Sequence, residues 1–302
     1  KNTSGEALDK SFSDMVKWIR ADNETVLSSI EVSSEWKDFD LNQNDNYTIW
    51  IGHSTFLIKT DGVTILTDPI FSDRASPFTS IGPKRLIPPS MDINDLPNID
   101  FVTVSHNHYD HLDVPTLKQL SKINPNTIFL IPAGDLKLLH RKGIKNAFEF
   151  HWWESYKEKG FTFTFTPVQH WSKRGLFDRN KSLWGGWYVE HDKYSLYHAG
   201  DTGYSSDFID TKERLGPPKY AFIPIGAYDP EWFMSESHVN PEDAVQIMID
   251  LEAEYSFGMH WGTFKLTDED TLEPPVRLKE ATKDANIKKF KSLVPGQVVN
   301  LN

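Results

Sequence analysis

From residue 47 onward the apolar positions fall into short, dense runs. Residues 47–51, 56–58 and 63–66 are rich in β-branched and aromatic side chains and are broken by Gly52 and by Asp61-Gly62. That pattern predicts a β-meander with the Asp-Gly step as a hairpin turn. Residues 101–105, 127–131, 184–190, 194–197, 220–225 and 255–259 read as further strands. Residues 161–166 alternate Phe with Thr, as a strand with one buried face does.

Helical signals fall between these runs. Asp113, followed by Pro115, opens one helix, and residues 135–141 form another. Asn240-Pro241-Glu242-Asp243 is a strong helix start, with Asn as N-cap, Pro in the first position and acids in the first turn. Ala244, Val245, Met248 and Leu251 give that helix its apolar face, and a last helix is expected near residues 277–290. Residues 1–46 are polar, but Phe12, Met15, Val16 and Ile19 recur at helical spacing. One amphipathic helix is expected there, packed on the main body or turned toward a membrane or partner. The Asp/Asn-rich residues 38–46 read as a linker. Residues 68–97 form a long loop with Pro77, Pro83, Pro88 and Pro89, and loops of that length are often functional. Strand-rich and helix-bearing stretches alternate in both halves without a sequence repeat. That predicts two packed sheets with helices outside, as one domain after the arm.

Composition narrows the function more than the fold. The 302 residues are 38% hydrophobic and 25% charged, enough for a sizeable core in an ordinary globular chain. Ten Trp point first to a well-filled core and second to a pocket for an apolar substrate. A net charge of -11 disfavours nucleic acid as a partner and weakens an anionic membrane as the main anchor. With no cysteine there is no disulfide, no thiol nucleophile and no zinc-thiolate site, so any metal must rest on His, Asp and Glu. No apolar run reaches the ~20 residues of a membrane span. A chain that starts at Lys1 rather than Met is expected to have lost a start, and any targeting segment with it. The compartment stays open between cytoplasmic and exported or envelope-associated.

The densest chemistry lies in Ser105-His106-Asn107-His108-Tyr109-Asp110-His111-Leu112-Asp113, directly after a buried strand. Four metal-competent side chains within six residues are seldom accidental. His106 and His108 can point to one side while Asp110 and His111 reach a second point nearby, which suits two cations about 3.5–4 Å apart. The other ligands should come from other strand ends. His170, Asp201 in His198-Ala199-Gly200-Asp201-Thr202-Gly203, and His260 sit at such places and complete a set of seven.

His106-x-His108-x-Asp110-His111 with the later His170, Asp201 and His260 resembles the metallo-β-lactamase-fold superfamily. Trp50-Ile51-Gly52-His53-Ser54-Thr55, Leu66-Thr67-Asp68-Pro69, Gln169-His170-Trp171, Glu236-Ser237-His238-Val239-Asn240-Pro241 and His260-Trp261-Gly262-Thr263 are similar to the N-acyl-phosphatidylethanolamine-hydrolysing phospholipase D family. The resemblance implies an αββα sandwich of two mixed β-sheets flanked by helices, in the α/β (α+β) class. Residues 1–46 would be an arm and residues 47–302 the hydrolase domain. It implies His106, His108 and His170 on one metal, Asp110, His111 and His260 on the other, and Asp201 bridging. The metals would be two Zn2+, with Mn2+ or Fe able to use the same donors. Asp110, Asp201 and His238 would be catalytic, with a metal-bridging hydroxide attacking a phosphodiester and His238 meeting the phosphate or the leaving group. Cysteine-ligated β-lactamases of this fold are excluded.

Several residues have two readings at this level. Asp68 can orient a ligand histidine from behind or be a turn aspartate before Pro69. His53 belongs behind the ligands or in the core, the core being slightly favoured. Lys173 and Arg174 suit a phosphate or a solvated basic turn, and Tyr109, Trp171 and Trp184 suit the site wall or ordinary packing. His140, His151, His191 and His198 receive no role. The expected substrate is a phospholipid or small molecule, with peripheral membrane contact and a homodimer as further expectations. A lactonase or carboxylic ester hydrolase is the alternative with the same metals, and a non-catalytic metal-binding protein is the alternative without chemistry.

Overall fold

The computed structural model describes residues 1–5, 8, 10, 12–21 and 25–301, without the side chains of Phe12 and Ile19. The helix expected in the arm is present as α1 (Phe12–Arg20); two of the four apolar side chains that suggested it lie outside the described residues. A 3-10 turn follows at Glu35–Asp38.

The meander forms as β1 (Tyr47–Gly52), β2 (Thr55–Thr60) and β3 (Val63–Thr67), all antiparallel. Its second turn is the Asp-Gly step, with φ of 47° at Asp61 and 77° at Gly62. Two successive positive φ values match the right-handed twist of the flanking strands, and only residues such as Asp and Gly tolerate them cheaply. Beyond β3 the sheet grows by parallel strands: β4 (Phe101–Thr103), β5 (Ile128–Pro132) and β6 (Ala147–Phe150). The crossovers are α2 (Val114–Ile123), with Asp113 at its N-cap as expected, and α3 (Leu136–Arg141). Asp113 does not cap through its own side chain to a helix N–H. Its Oδ2 instead accepts from Thr116 Oγ1 and, at 3.2 Å, from the Ser72 N–H.

The second sheet repeats this plan without repeating the sequence. β7 (Ser155–Glu158), β8 (Phe161–Thr166), β9 (Gly186–Glu190) and β10 (Ser195–His198) are antiparallel. β11 (Tyr220–Pro224), β12 (Tyr255–Met259) and β13 (Phe290–Ser292) then add in parallel. Their helices are α4 (Asp207–Leu215), the short α5 (Glu231–Met234), α6 (Pro241–Leu251) and α7 (Glu273–Asp284). The last strand, β14 (Val298–Asn300), returns to the first sheet beside β1, so each sheet has seven strands.

Alternation along β1 shows how the layers are held. Trp50 points into the core between the sheets, while Ile49 and Ile51 join the cluster under the outer helices with Leu117, Leu120 and Leu139. Across the sheets Phe56 meets Phe222 and Phe101 meets Phe163, each pair with centroids 4.5 Å apart. The Trp187 indole N–H donates to the Val104 carbonyl at 2.9 Å, closing the sandwich next to the chemistry.

Two expectations change. In β8, Thr164 and Thr166 are buried as well as the Phe residues, because the outer face of this sheet is covered too: Thr166 reaches the Tyr197 hydroxyl, and Tyr197 packs on Phe208 of α4. The last helix runs from Glu273 to Asp284 rather than near 277–290. Pro274 stands in its first turn, and Asn286 with φ of 55° ends it, freeing Phe290 for β13.

Candidate metal centre

The C-terminal ends of six strands converge on one rim. β1 leads to His53, β3 to Asp68, β4 to the 105–112 loop, β8 to His170, β10 to Asp201 and β12 to His260. Close approach here demands unusual backbone. His53, Asp68 and His260 all have positive φ (56°, 35° and 62°), a region that costs an L-residue roughly 1–3 kcal/mol. Hydrogen bonds hold His53 in it: its N–H donates to Thr263 Oγ1 at 2.7 Å, and its carbonyl accepts from His260 N and Trp50 Nε1 at 3.0 and 2.8 Å. At Gly200 (φ 65°) an added Cβ would lie 2.6 Å from the Ser105 Cβ, so glycine is needed where the Asp201 loop passes the histidine loop.

The side chains form two groups joined by a third. His106, His108, His170 and Asp201 make the first; His53, Asp110, His111 and His260 make the second; Asp201, His238 and His260 link them. In the first, His108 Nδ1 lies 2.8 Å from His106 Nε2 and 3.3 Å from His170 Nε2. In the second, Asp110 Oδ2 lies 3.0 Å from His53 Nε2 and 3.4 Å from both His111 Nε2 and His260 Nε2. Asp201 Oδ2 stands between them, 3.1 Å from His111 and His260 and 3.8 and 3.9 Å from His106 and His170. His238 Nδ1 is 3.9 Å from the same oxygen.

Partners behind the rings set which nitrogen faces the centre. Asp68 Oδ2 accepts from His111 Nδ1 at 2.8 Å, and its two oxygens also take the N–H and hydroxyl of Ser105, each at 2.6 Å. With its hydroxyl donated to Asp68, Ser105 Oγ accepts from His106 Nδ1 at 2.9 Å. His170 Nδ1 donates to the Ser237 carbonyl at 2.9 Å. In each case Nε2 is left for the centre.

These residues fit bound metal. His108 Nε2, His111 Nε2, His260 Nε2, His238 Nδ1 and Asp201 Oδ1 are buried without a hydrogen-bond partner. Orphaned polar atoms at such density are costly unless something binds them, and imidazole nitrogen with carboxylate oxygen is a donor set zinc uses. The electrostatics agree. Burial and neighbouring rings hold His106 well below the usual imidazole range, burial holds His170 there too, and burial takes His108 and His238 to about 4 and His53 to about 3. At His260 burial is outweighed by Asp201 and Asp110, which push it to about 9; His111 is raised in the same way. Burial also opposes ionisation of Asp110 and Asp201, but the adjacent histidines keep both well below the carboxylate range.

The centre opens through a mouth of about 250 Å³ lined by His108, Tyr109, Asp110, Asp201 and His238 with the apolar Ala75, Trp171, Ala227, Met234 and Leu266. Among the described residues no helix is long and apolar enough to cross a membrane.

Residues 63–261 match the family model described as "Beta-lactamase superfamily domain". An N-acyl-phosphatidylethanolamine-hydrolyzing phospholipase D from Caenorhabditis elegans is 41% identical, over 86% of this chain and 76% of its own length. A mitochondrial protein with the same activity in its name, from Saccharomyces cerevisiae, is 39% identical over 84% of this chain and 55% of its own. The chain belongs to the N-acyl-phosphatidylethanolamine-hydrolysing phospholipase D family of the beta-lactamase superfamily. A metallo hydrolase of Ignicoccus hospitalis shares the fold, with a TM-score of 0.63 at 24% identity, covering 85% of this chain and 98% of that one.

As a member of that superfamily the chain is a metal-dependent hydrolase, and its rim gathers all seven expected ligand residues. His238 stands at the mouth, and Asp68 stands behind His111. His53 is buried and lies against Asp110, its Nε2 3.0 Å from Oδ2. Trp171 and Tyr109 reach the mouth, whereas Trp184 is buried behind it. Arg174 does neither of the things its sequence suggested. Its Nη1 donates to the carbonyls of Asn107 and Leu112 at 2.8 Å, and its guanidinium lies 4.0 Å from the Tyr109 ring centroid. It therefore clamps the loop that carries four ligands. Asn2 escaped notice as well: its Oδ1 accepts from the His170 N–H at 3.1 Å and the Trp184 indole at 3.0 Å. Nothing in a polar arm marks such a residue. Arg174 had a faint signal in standing four residues after a ligand.

Proposed function

We propose that this chain is a binuclear metal-dependent phosphodiesterase of the phospholipase D type, acting on N-acyl-phosphatidylethanolamine or a related phospholipid. The observation that carries the reading is a set of His/Asp groups linked through Asp201 beneath a half-apolar mouth, in a chain 39–41% identical to relatives named for that reaction. In this reading His106, His108 and His170 hold one cation and Asp110, His111 and His260 the other, with Asp201 common to both. Zinc is the expected metal, and Mn2+ or Fe suit the same donors. Bound there, two divalent cations supply Lewis acidity that makes water a competent nucleophile near neutral pH and neutralises charge on phosphoryl oxygens.

The remaining work belongs to the protein. Asp201 Oδ1, buried and unpartnered, can accept a hydrogen bond from the attacking water and aim it. His238 is 15% exposed at the mouth, placed to contact the phosphate or pass a proton to the departing alkoxide. Asp68, Ser105 and the Ser237 carbonyl keep the ligand rings in register, and His53 steadies Asp110. Trp171, Met234 and Leu266 offer apolar wall to an acyl chain and thin the water around the reacting atoms.

The test is metal content by mass spectrometry on chelator-free protein, with hydrolysis of bis-p-nitrophenyl phosphate and of N-acyl-phosphatidylethanolamine by wild type and Asp201→Asn. Two metals per chain and a loss beyond about 100-fold are expected, since partners behind metal ligands alone are worth about 10–100-fold. Full activity in Asp201→Asn would sink the reading. Preference for a lactone would turn it toward the ester-hydrolase alternative.

A further inference from the structure

Away from the metal rim, the two sheets leave a gap between their edges. β13 and β14 are edge strands, one in each sheet, and residues of both line a cleft of about 320 Å³. Its floor is aromatic. Phe222 looks toward the first sheet at Phe56, and Tyr220, Tyr255 and Phe257 share its face of β11 and β12. Tyr220 stacks on both neighbours, with centroids 5.4 Å from Tyr255 and 6.5 Å from Phe257 at interplanar angles of 25° and 9°. Leu293 and Val299 add aliphatic wall. Tyr255 and Val299 are only half-buried, so the apolar lining is open to a ligand. Tyr255 begins β12 and His260 follows its end, which puts the cleft about 16 Å from that ligand residue at roughly 3.3 Å per residue.

The charge at the opening says what would enter. The register sets Lys291 beside Phe257, on the cleft face of β13, while Phe290 is buried on the other face. Lys288 and Lys289 line the same opening. Residues 287–293 thus hold three cations and no acid, in a chain of net charge -11. Lys289 is already engaged: it pairs with Glu254 at 2.8 Å and lies 4.2 Å from the Tyr255 ring centroid. Lys288 and Lys291 have no carboxylate partner among the described residues. An inward lysine on an edge strand also guards against edge-to-edge pairing. That role asks for one cation, however, and here three converge beside stacked rings.

We propose that this cleft binds a small aromatic anion. Its ring lies along the floor of Tyr220, Tyr255 and Phe257, and its acid group meets the ammonium groups of Lys288 and Lys291. The volume is near the small end of ligand cavities, roughly 300–1,000 Å³, which suits one or two fused rings and leaves no room for a two-chain phospholipid. The site is separate from the metal centre and does not rest on the reaction proposed there.

The experiment is calorimetric titration of the zinc-loaded full chain with naphthalene-2-sulfonate, whose head is a weak metal ligand. Octane-1-sulfonate, 2-naphthalenemethanol and sulfate are titrated beside it. The variants are Lys291→Met, Lys291→Arg and Val299→Phe, the last filling the cleft. Wild type should bind naphthalene-2-sulfonate at least about tenfold more tightly than each of the other three compounds. Lys291→Met and Val299→Phe should each weaken binding at least about tenfold, and Lys291→Arg should restore it to within about threefold. Metal content and the rate on a water-soluble diester should be unchanged in all three, which separates a lost site from a lost fold. No binding by wild type overturns the proposal. Binding that survives both Lys291→Met and Val299→Phe places the anion elsewhere, the mouth of the metal centre included, and overturns it too. Equal binding of octane-1-sulfonate or sulfate overturns the aromatic assignment. Self-association of Lys291→Met with naphthalene-2-sulfonate binding intact would make Lys291 an edge guard and overturn its role in the site.

Discussion

The unpartnered atoms at the centre have a quieter counterpart at Asp135. This residue is 3% exposed and accepts from Asn107 Nδ2 at 3.1 Å and Ser182 Oγ at 2.9 Å through Oδ1, while Oδ2 has no partner. Burial pushes its carboxyl up from the ordinary 3.8 to about 6. The folded form therefore binds the proton more tightly than the unfolded chain does. The associated stability is present below about pH 4 and is lost as pH rises through about 6, by roughly 2–3 kcal/mol. Asp135→Asn keeps the Oδ1 acceptor and removes the charge. Urea unfolding followed between pH 4 and 7 should show a flatter profile in the variant and a gain at neutral pH; parallel profiles would contradict this. At this scale legibility varied with local density. His106, His108, Asp110 and His111 announce themselves because four ligands crowd one loop. His53 is a single histidine after a strand, and its contact with Asp110 depends on a left-handed backbone that sequence patterns do not show.

Between β4 and α2 the ligand loop is tied by its own backbone only at the turn where His111 and Leu112 donate to the His108 carbonyl, and Arg174 adds ties at the carbonyls of Asn107 and Leu112. Its planar fork reaches carbonyls at both ends of the loop, which a lysine's point charge cannot match. Arg174→Lys is expected to cost about 1–3 kcal/mol of stability and to weaken metal binding roughly tenfold. Calorimetric titration with Zn2+ and thermal unfolding check the two effects separately, and a variant matching wild type in both would refute the clamp. The elements themselves were mostly readable. The Asp61-Gly62 turn, the strands of the meander and the Asn240 cap, whose side chain accepts from the Asp243 N–H at 2.8 Å, form where their residues say. The short edge strands β6, β7, β13 and β14 were not readable. Ser155–Glu158 and Val298–Asn300 are too brief and too polar for a period to emerge, and pairing with a neighbour makes them strands. Asn286 could have marked the end of α7, but Lys and Ile around it continue a helical pattern that hides the break.

The whole molecule is two halves that agree on one rim, and metal is what the donor set of that rim calls for. Without cations, Asp110 and Asp201 are balanced only by raised His111 and His260, with partnerless atoms around them. Chelation at neutral pH should lower the thermal midpoint by roughly 5 °C or more, as about 1 kcal/mol of lost ligand stabilisation moves a chain of this size by about 2–4 °C. Differential scanning calorimetry with and without chelator reads this directly, and an unmoved midpoint would mean the rim holds itself. The layered architecture followed from alternating strand-rich and helix-bearing stretches. The return of β14 to β1 did not, because nothing in the three residues Val298–Asn300 says which edge they will join.

That return also bears on the order of folding. β1 pairs on one side with β2, its neighbour in sequence, and on the other with β14, so Tyr47 meets both Lys59 and Asn300. A meander can form from local contacts, whereas the pairing with β14 closes a loop that contains the whole second sheet and forms later. The first sheet is thus a seed that the second half of the fold comes back to finish, and a chain whose second sheet fails to assemble leaves β1 as an open edge, ready to pair with another copy.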